Sequence, residues 1–442
     1  MLKTFSIGGV HPPEQKLSAD KSIEVLPPPK RVSVPIAQHI GAPAKPEVKK
    51  GDLVKTGQRI AASGGFVSAN IHSPVSGKVF KVDDIVDASG YRKKAIIIDV
   101  DGDEWDESID RSQTLRKEIT ISAGEIIKKA GEMGIVGMGG ATFPSHVKLA
   151  PPPGKKCDIL IINGVECEPF LTSDHRIMLE KGQELIVGIR ILMKALNTSK
   201  AIIGIENNKP DAIENLQKLT VQDDGIEVQP LKVQYPQGGE KQLIDALTGR
   251  QVPSGKLPIE VGAVVHNVGT TFAIYEAIQK NKPLIERVVT VTGPGVTKPS
   301  NLLARIGTPI KHLIEAAGGL PDNTGKIVGG GPMMGKALTT TDVPITKGSS
   351  GVLILPHEKA HRQTVENCVR CGKCISACPM GLEPYLLMIE TEKEMWDRAE
   401  SDDIMDCIEC GSCTFTCPAH RPLLDYIRLG KGQVGQIIRK RS

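Results

Sequence analysis

The stretch Gly134-Ile-Val-Gly137-Met-Gly139-Gly140-Ala-Thr-Phe143-Pro-Ser-His-Val-Lys148 follows a helical pattern over residues 123–133 and precedes an apolar run over residues 158–162. Glycines in such a turn let backbone N–H groups approach an anion, and Lys148 adds a positive charge. Outward from it, apolar periodicity predicts a long helix over residues 180–196, a buried strand over 201–205 and another helix over 211–219. Strands alternating with helices imply a parallel, Rossmann-like sheet. Two further stretches end predicted strands, where open α/β sheets bind ligands. They are Ile162-Asn163-Gly-Val-Glu166-Cys167-Glu168-Pro169 and Val264-Val-His266-Asn267-Val-Gly269-Thr270.

Eight of the ten cysteines fall in two copies of one pattern. The copies are Cys368-Val-Arg-Cys371-Gly-Lys-Cys374-Ile-Ser-Ala-Cys378-Pro379 and Cys407-Ile-Glu-Cys410-Gly-Ser-Cys413-Thr-Phe-Thr-Cys417-Pro418. Both read C-x2-C-x2-C-x3-C-P, the spacing that wraps a loop over three corners of a [4Fe–4S] cube. The fourth cysteine of such a run commonly serves the other cube. The expected ligand sets are therefore Cys368, Cys371, Cys374 and Cys417 for one cluster, and Cys407, Cys410, Cys413 and Cys378 for the other. Zinc sites usually leave a gap after the second cysteine, and neither run has one. Cys157 and Cys167 read as packing residues.

Residues 1–30 form a Pro-rich arm, either a strap on the surface or a docking peptide. Residues 31–105 alternate short β runs with Gly and Pro turns. Val48-Lys-Lys-Gly51-Asp-Leu-Val-Lys-Thr-Gly57-Gln-Arg-Ile60 and Ile71-His-Ser-Pro-Val-Ser-Gly77-Lys-Val resemble the lipoyl/biotinyl barrel-sandwich. The hairpin that would carry the modified lysine, Ser63-Gly-Gly-Phe-Val-Ser-Ala-Asn70, has none, so a structural or docking barrel is expected. An acidic stretch closes it, and residues 116–287 hold the Rossmann-like domain. Residues 288–350 resemble an SLBB β-grasp with a short helix ending at Gly318. Val328-Gly-Gly-Gly-Pro-Met-Met-Gly335 within it is a tight turn, with close packing as its default reading and contact with a flavin or cluster as the alternative. Residues 351–430 form an α-helical two-cluster ferredoxin domain, and residues 431–442 a solvated basic tail.

The Gly turn and the two strand-end stretches resemble the flavin subunit of respiratory complex I, with its "G-x-x-G-R-G-G-A-G-F-P-x-x-x-K", "N-A-D-E-x-E-P" and "V-N-N-V-E-T" motifs. A fourth match is Tyr235-Pro-Gln-Gly238-Gly239-Glu240-Lys-Gln-Leu-Ile-Asp-Ala-Leu-Thr-Gly249-Arg250. The resemblance implies non-covalent FMN cradled by Gly137, Gly139, Gly140, Lys148, Asn163 and Asn267. It also implies NAD(H) as substrate near catalytic Glu166 and Glu240, with Phe143 stacking. Met138, Val165 and Gly239 depart from the family's Arg, Asp and Glu and bear on the nicotinamide contacts. Order along the whole chain — "G-G-V-H-P-P-E", "Q-H-I-G-A-P-A", barrel, flavin domain, SLBB, two cluster runs — resembles the RnfC family, the C subunits of Rnf ion-translocating ferredoxin:NAD+ oxidoreductases. That resemblance implies a peripheral subunit on the cytoplasmic face of the cell membrane. Its expected partners are membrane-embedded and ferredoxin-like subunits.

The formal charge of +4 is interspersed, without a basic stripe interleaved with aromatics, so nucleic acid is not indicated. No apolar run approaches the ~18–20 residues of a membrane span, and membrane contact is expected through partners only. Two other readings compete. In cobalamin reductase-like flavin/iron–sulfur proteins the flavin domain precedes the barrel, whereas here Gly137 follows it. A non-catalytic iron–sulfur adaptor would hold no flavin.

Overall fold

The computed structural model describes residues 2–441. The N-terminal arm is an ordered strap rather than a free peptide. Phe5 is buried, Val10 bridges Tyr235, and β1 (Ile23–Val25) joins a sheet far along the chain. Lys16 fastens the strap by donating to the carbonyls of Glu166, Glu168 and Leu171 at 2.8–2.9 Å. Burial lowers the pKa of this lysine, an expected cost of satisfying an ammonium with carbonyls alone.

The barrel comprises β2 (Arg31–Pro35), β3 (Lys45–Pro46), β4 (Leu53–Val54), β5 (Arg59–Ala62), β6 (Ile71–His72), β7 (Gly77–Val86) and β8 (Arg92–Val100). Its sheets run β2-β8-β7-β4 and β3-β5-β6, closed over Val32, Val34, Ile60, Ile71, Ile96 and Ile98. Lys347 pins the barrel to the next domain. It is fully buried and donates to the carbonyls of Asn70 and Gly134.

The Rossmann-like domain begins with α1 (Ala123–Glu132), opened by a Ser122/Glu125 capping box. There follow α2 (Ser145–Lys148), β9 (Ile159–Asn163), α3 (Ser173–Glu180), α4 (Gly182–Leu196), β10 (Ala201–Glu206), α5 (Pro210–Thr220), β11 (Ile226–Leu231), α6 (Glu240–Thr248), β12 (Ala263–Asn267) and α7 (Val268–Lys280). The helix expected over 180–196 starts after a break at Lys181, because α3 ends there and α4 sets off anew. The sheet is wholly parallel, in the order β11-β10-β9-β12. The chain winds outward from β9 to β11, then returns to β9's other side. That reversal opens a crevice beyond the strand ends. Asn163 and Asn267 are register partners at its floor.

The β-grasp region has β13 (Glu286–Thr292), β14 (Ser300–Arg305), α8 (Ile310–Ala316), β15 (Thr324–Gly329), β16 (Lys336–Ala337) and β17 (Gly351–Pro356). The sheet order is β1-β14-β13-β17-β15-β16. The boundary expected at residue 350 is therefore too early, since β17 lies between β13 and β15. Its partners are distant in sequence, so no local signal assigns it.

The last module holds α9 (His357–Ala360), α10 (Lys373–Ala377), α11 (Pro384–Glu392), α12 (Trp396–Ser401), α13 (Ser412–Thr416) and α14 (Leu423–Arg441). The expected basic tail is instead the end of α14. Val434 is buried, and Arg441 reaches Asp397 at 3.0 Å and Glu400 at 2.8 Å. Its last-turn cations also suit a helix C-terminus.

Candidate active site

The Gly turn lies at the mouth of the crevice. Gly137 N–H donates to the Phe143 carbonyl at 2.8 Å and Met138 N–H to Thr270 Oγ1 at 2.8 Å, which fixes both stems of the turn. At its tip Gly139, Gly140 and Ala141 are exposed. Their N–H groups have no protein acceptor among the described residues. Gly140 has φ +146° and open space where a side chain would stand. A Cβ on Gly139 would approach Asn267 Cβ at 3.0 Å. Three free amides on one exposed turn are a donor set that suits an FMN phosphate, and the residues present fit the group.

Asn267 caps α7, accepting from Gly269 N–H at 2.8 Å and Thr270 N–H at 3.3 Å, while its Nδ2 donates to Asp174 at 2.6 Å. Asn163 Nδ2 donates to the Gly238 carbonyl at 2.9 Å. Lys148 donates to Glu240 at 2.6 Å and to the Val265 carbonyl at 3.2 Å. The crevice thus gathers Gly137, Gly139, Gly140, Phe143, Lys148, Asn163, Glu240 and Asn267. Lys148 is engaged by Glu240, so an entering phosphate would share it with a carboxylate.

Glu166 is differently employed. Its carboxylate accepts from Ser173 Oγ and from the N–H groups of Asp174 and His175, at 2.8–3.2 Å. It satisfies otherwise orphaned donors in the first turn of α3, and the geometry makes it a helix cap. Asp174 is the residue that sequence reasoning missed. It is half-buried beside Glu166 and Asn267, and loss of solvation there pushes its carboxyl up to about 7. No motif singles out an Asp within a helix, and only the tertiary contact with Asn267 reveals it.

Glu168, beyond Cys167, accepts from Met333 N–H at 3.1 Å and Met334 N–H at 2.8 Å. The Gly/Met turn is thereby held between the crevice domain and the cysteine module. A Cβ on Gly411 would stand 2.8 Å from the Met333 carbonyl.

The cysteine runs separate into two groups that exchange their last members. Cys378 lines one cavity with Cys407, Cys410 and Cys413, walled by Leu382, Leu387, Leu424 and Ile427. Burial together with the neighbouring thiols pushes Cys407 up to about 11 and Cys413 up to about 12. A bound metal would deprotonate such thiols outright. Leu382 N–H points at Cys378 Sγ and Glu409 N–H at Cys407 Sγ, both at 3.4 Å, as a sulfur-rich cluster would need. Among the described residues no three His, Cys, Asp or Glu side chains converge closely enough for a single metal ion. In the other group, Cys417 lies close enough to Cys374 to raise its thiol further, after the larger effect of burial. Cys368 and Cys371 are exposed. Met388 and Leu423 pack with Cys413 in one apolar cluster, against which Cys374 and Cys417 lie. Cys157 is buried, and its thiol is pushed up to about 11 chiefly by burial.

Comparison with known proteins matches four stretches of the chain to known domains. Residues 3–103 match the RnfC Barrel sandwich hybrid domain, 130–276 the Nuo51 FMN-binding domain, 288–337 the SLBB domain and 360–418 the 4Fe-4S dicluster domain. The NAD+-reducing [NiFe]-hydrogenase in its H2-reduced state shares the fold, with a TM-score of 0.51 and 17% identity over 71% of this chain and 63% of that one. The C subunit of the proton-translocating ferredoxin:NAD(+) oxidoreductase complex of Clostridium ljungdahlii is 50% identical, over 98% of this chain and 94% of that protein. Its counterpart in the Na(+)-translocating complex of Acetobacterium woodii is 46% identical over 97% and 96%. In the ion-translocating oxidoreductase complex of Rhodobacter capsulatus, the C subunit is 42% identical over 98% and 84%. The chain belongs to the family of C subunits of ion-translocating ferredoxin:NAD(+) oxidoreductase complexes, the RnfC family.

Proposed function

We propose that this chain is the electron-transfer subunit through which an Rnf-type complex exchanges electrons with NAD(H), as part of coupling ferredoxin and NAD(H) chemistry to ion translocation. FMN supplies the exchange between hydride and single electrons, since nicotinamide does not pass single electrons and [4Fe–4S] clusters do not pass hydride. The chain's own residues bind and orient. The amides of Gly139, Gly140 and Ala141 receive the phosphate, Asn163 and Asn267 form the floor, and Phe143 offers an apolar face. Glu240, held by Lys148, stands where NAD(H) would enter. Cys378, Cys407, Cys410 and Cys413 hold the inner cluster, and Cys368, Cys371, Cys374 and Cys417 the outer.

The observation that carries this reading is the adjacency of the crevice and the inner cysteine ring. Tyr235, at the head of the loop bearing Gly238 and Glu240, hydrogen-bonds the carbonyl of Cys410 at 2.8 Å. No helix among the described residues is long and apolar enough to cross a membrane. Membrane-embedded and ferredoxin-like subunits would supply attachment at the cytoplasmic face and the ion path. Anaerobic purification with iron, sulfide and flavin quantified together tests the reading. It should give about eight iron atoms and one flavin per chain, with NADH-dependent dye reduction. An iron-free, zinc-bound chain would refute the clusters, and cluster-bearing protein without flavin would favour the adaptor.

A further inference from the structure

The segment from Tyr235 to Gln242 touches both halves of the molecule. Its middle faces the crevice, where Gly238 accepts from Asn163 at 2.9 Å and Glu240 from Lys148 at 2.6 Å. Its two ends reach the inner cysteine ring from separate sides. Tyr235 donates its hydroxyl to the carbonyl of Cys410 at 2.8 Å, and Gln242 Nε2 donates to the carbonyl of Pro379, next to Cys378, at 3.1 Å. Both side chains are buried, Tyr235 at 2% and Gln242 at 4% exposure, so water does not substitute for either bond. Tyr235 packs with Val10, Ala377 and Cys410 in one apolar cluster. Among the described residues, the outer cysteines receive no such contact from this segment. Cys368 and Cys371 stand exposed.

We infer that Tyr235 and Gln242 are positioning residues that set the reduction potential of the inner cluster and lock its ligand loops to the crevice. The physical argument is electrostatic. Each donor turns the positive end of a dipole toward a backbone carbonyl of the ligand loops, in a region without water. A reduced cluster carries one more negative charge than the oxidised one, so a nearby positive dipole end favours reduction. Removing the donor disfavours it. The inference rests on the reading of Cys378, Cys407, Cys410 and Cys413 as a cluster site.

The test uses the full chain, purified anaerobically, with each cluster's potential followed by electron paramagnetic resonance during redox titration. Tyr235→Phe keeps the ring and removes only the hydroxyl. The inner cluster should become harder to reduce, with its reduced-to-oxidised ratio at fixed potential falling about fivefold, the factor expected for one hydrogen bond. A tenfold fall would be a shift of 59 mV for a one-electron couple. The outer cluster's potential should not move. Gln242→Met, which keeps volume, should shift the same signal in the same direction. Selective loss of the inner cluster's iron from either variant, with the outer signal intact, also supports positioning. Unmoved inner potentials in both variants, or equal shifts in both clusters, would overturn the inference. Wild-type protein with fewer than two clusters would instead refute the underlying cluster reading.

Discussion

The two cysteine runs share one backbone and sit in opposite surroundings. Arg370 and Glu409 have φ +53° and +58°, and Gly372 and Gly411 have φ +73° and +81°. Cys378 and Cys417 leave their short helices at nearly equal angles, φ −72° and −73°. Yet Cys410 and Cys413 are buried while Cys368 and Cys371 are exposed. The arm, the Tyr235 segment and the Gly/Met turn all close on the inner group. Gly9 N–H donates to the Ala377 carbonyl at 3.0 Å, and a Cβ on Gly8 would stand 2.5 Å from the Cys378 carbonyl carbon. Local sequence thus specifies the loop geometry of each run, whereas tertiary packing specifies which cysteine group lies beside the crevice and which stands exposed. In the proposed electron path the sequence of sites is crevice, inner cluster, outer cluster, solvent.

The sharpest way to break this contrast is to remove one cluster at a time. Cys413→Ser should reduce iron from about eight atoms to about four and stop NADH from reducing the outer cluster. Cys374→Ser should lose the same amount of iron and leave the inner cluster reducible by NADH. Iron analysis and electron paramagnetic resonance after NADH addition distinguish them. Because the groups exchange members, Cys417→Ser should resemble Cys374→Ser, not Cys413→Ser. The reverse result would mean that each run closes its own cube.

A smaller effect should come from the clamp. Gly8 has φ +74° and no room for a side chain beside Cys378. Gly8→Val should cost about 1–3 kcal/mol in local backbone strain and open the inner site. Under air the inner cluster should then bleach faster than in the wild type, at an unchanged rate for the outer one. Equal bleaching of both would remove the arm from the account.

These outcomes bear on what was legible in the sequence. The cysteine spacing and the Gly turn were readable because each encodes a local geometry — a loop around a cube, a turn that a side chain would block. The parallel sheet was readable from its apolar runs. The arm's role was not, because a Pro-rich segment with Lys16 looks solvated until three carbonyls appear around that lysine. Glu166 carries a motif's signature but serves α3 as a cap, a contact made seven to nine residues further along the chain. The terminal stretch reads as a tail because the partners of Arg441, Asp397 and Glu400, lie on α12, far back along the chain.

The smallest effect lies away from both clusters. Burial pushes the Lys347 ammonium down to about 7 from an ordinary 10.5. Between those values the unfolded chain binds a proton that the folded chain does not, so stability rises with pH across that window. Below about 7 both states are protonated and the full burial cost is felt. Lys347→Met should flatten the rise of the thermal midpoint between pH 7 and about 10, while both cluster signals stay as in the wild type. An unchanged slope would show that another group governs it.

The central claim is that electrons from NADH reach the clusters only through the crevice. Gly139→Leu tests it most directly, since a side chain there meets Asn267 and obstructs the turn. The purified variant should hold no flavin and retain both clusters. NADH should reduce neither cluster on the timescale of the wild type, while dithionite should reduce both. Reduction of the clusters by NADH at the wild-type rate in this flavin-free protein would contradict the account.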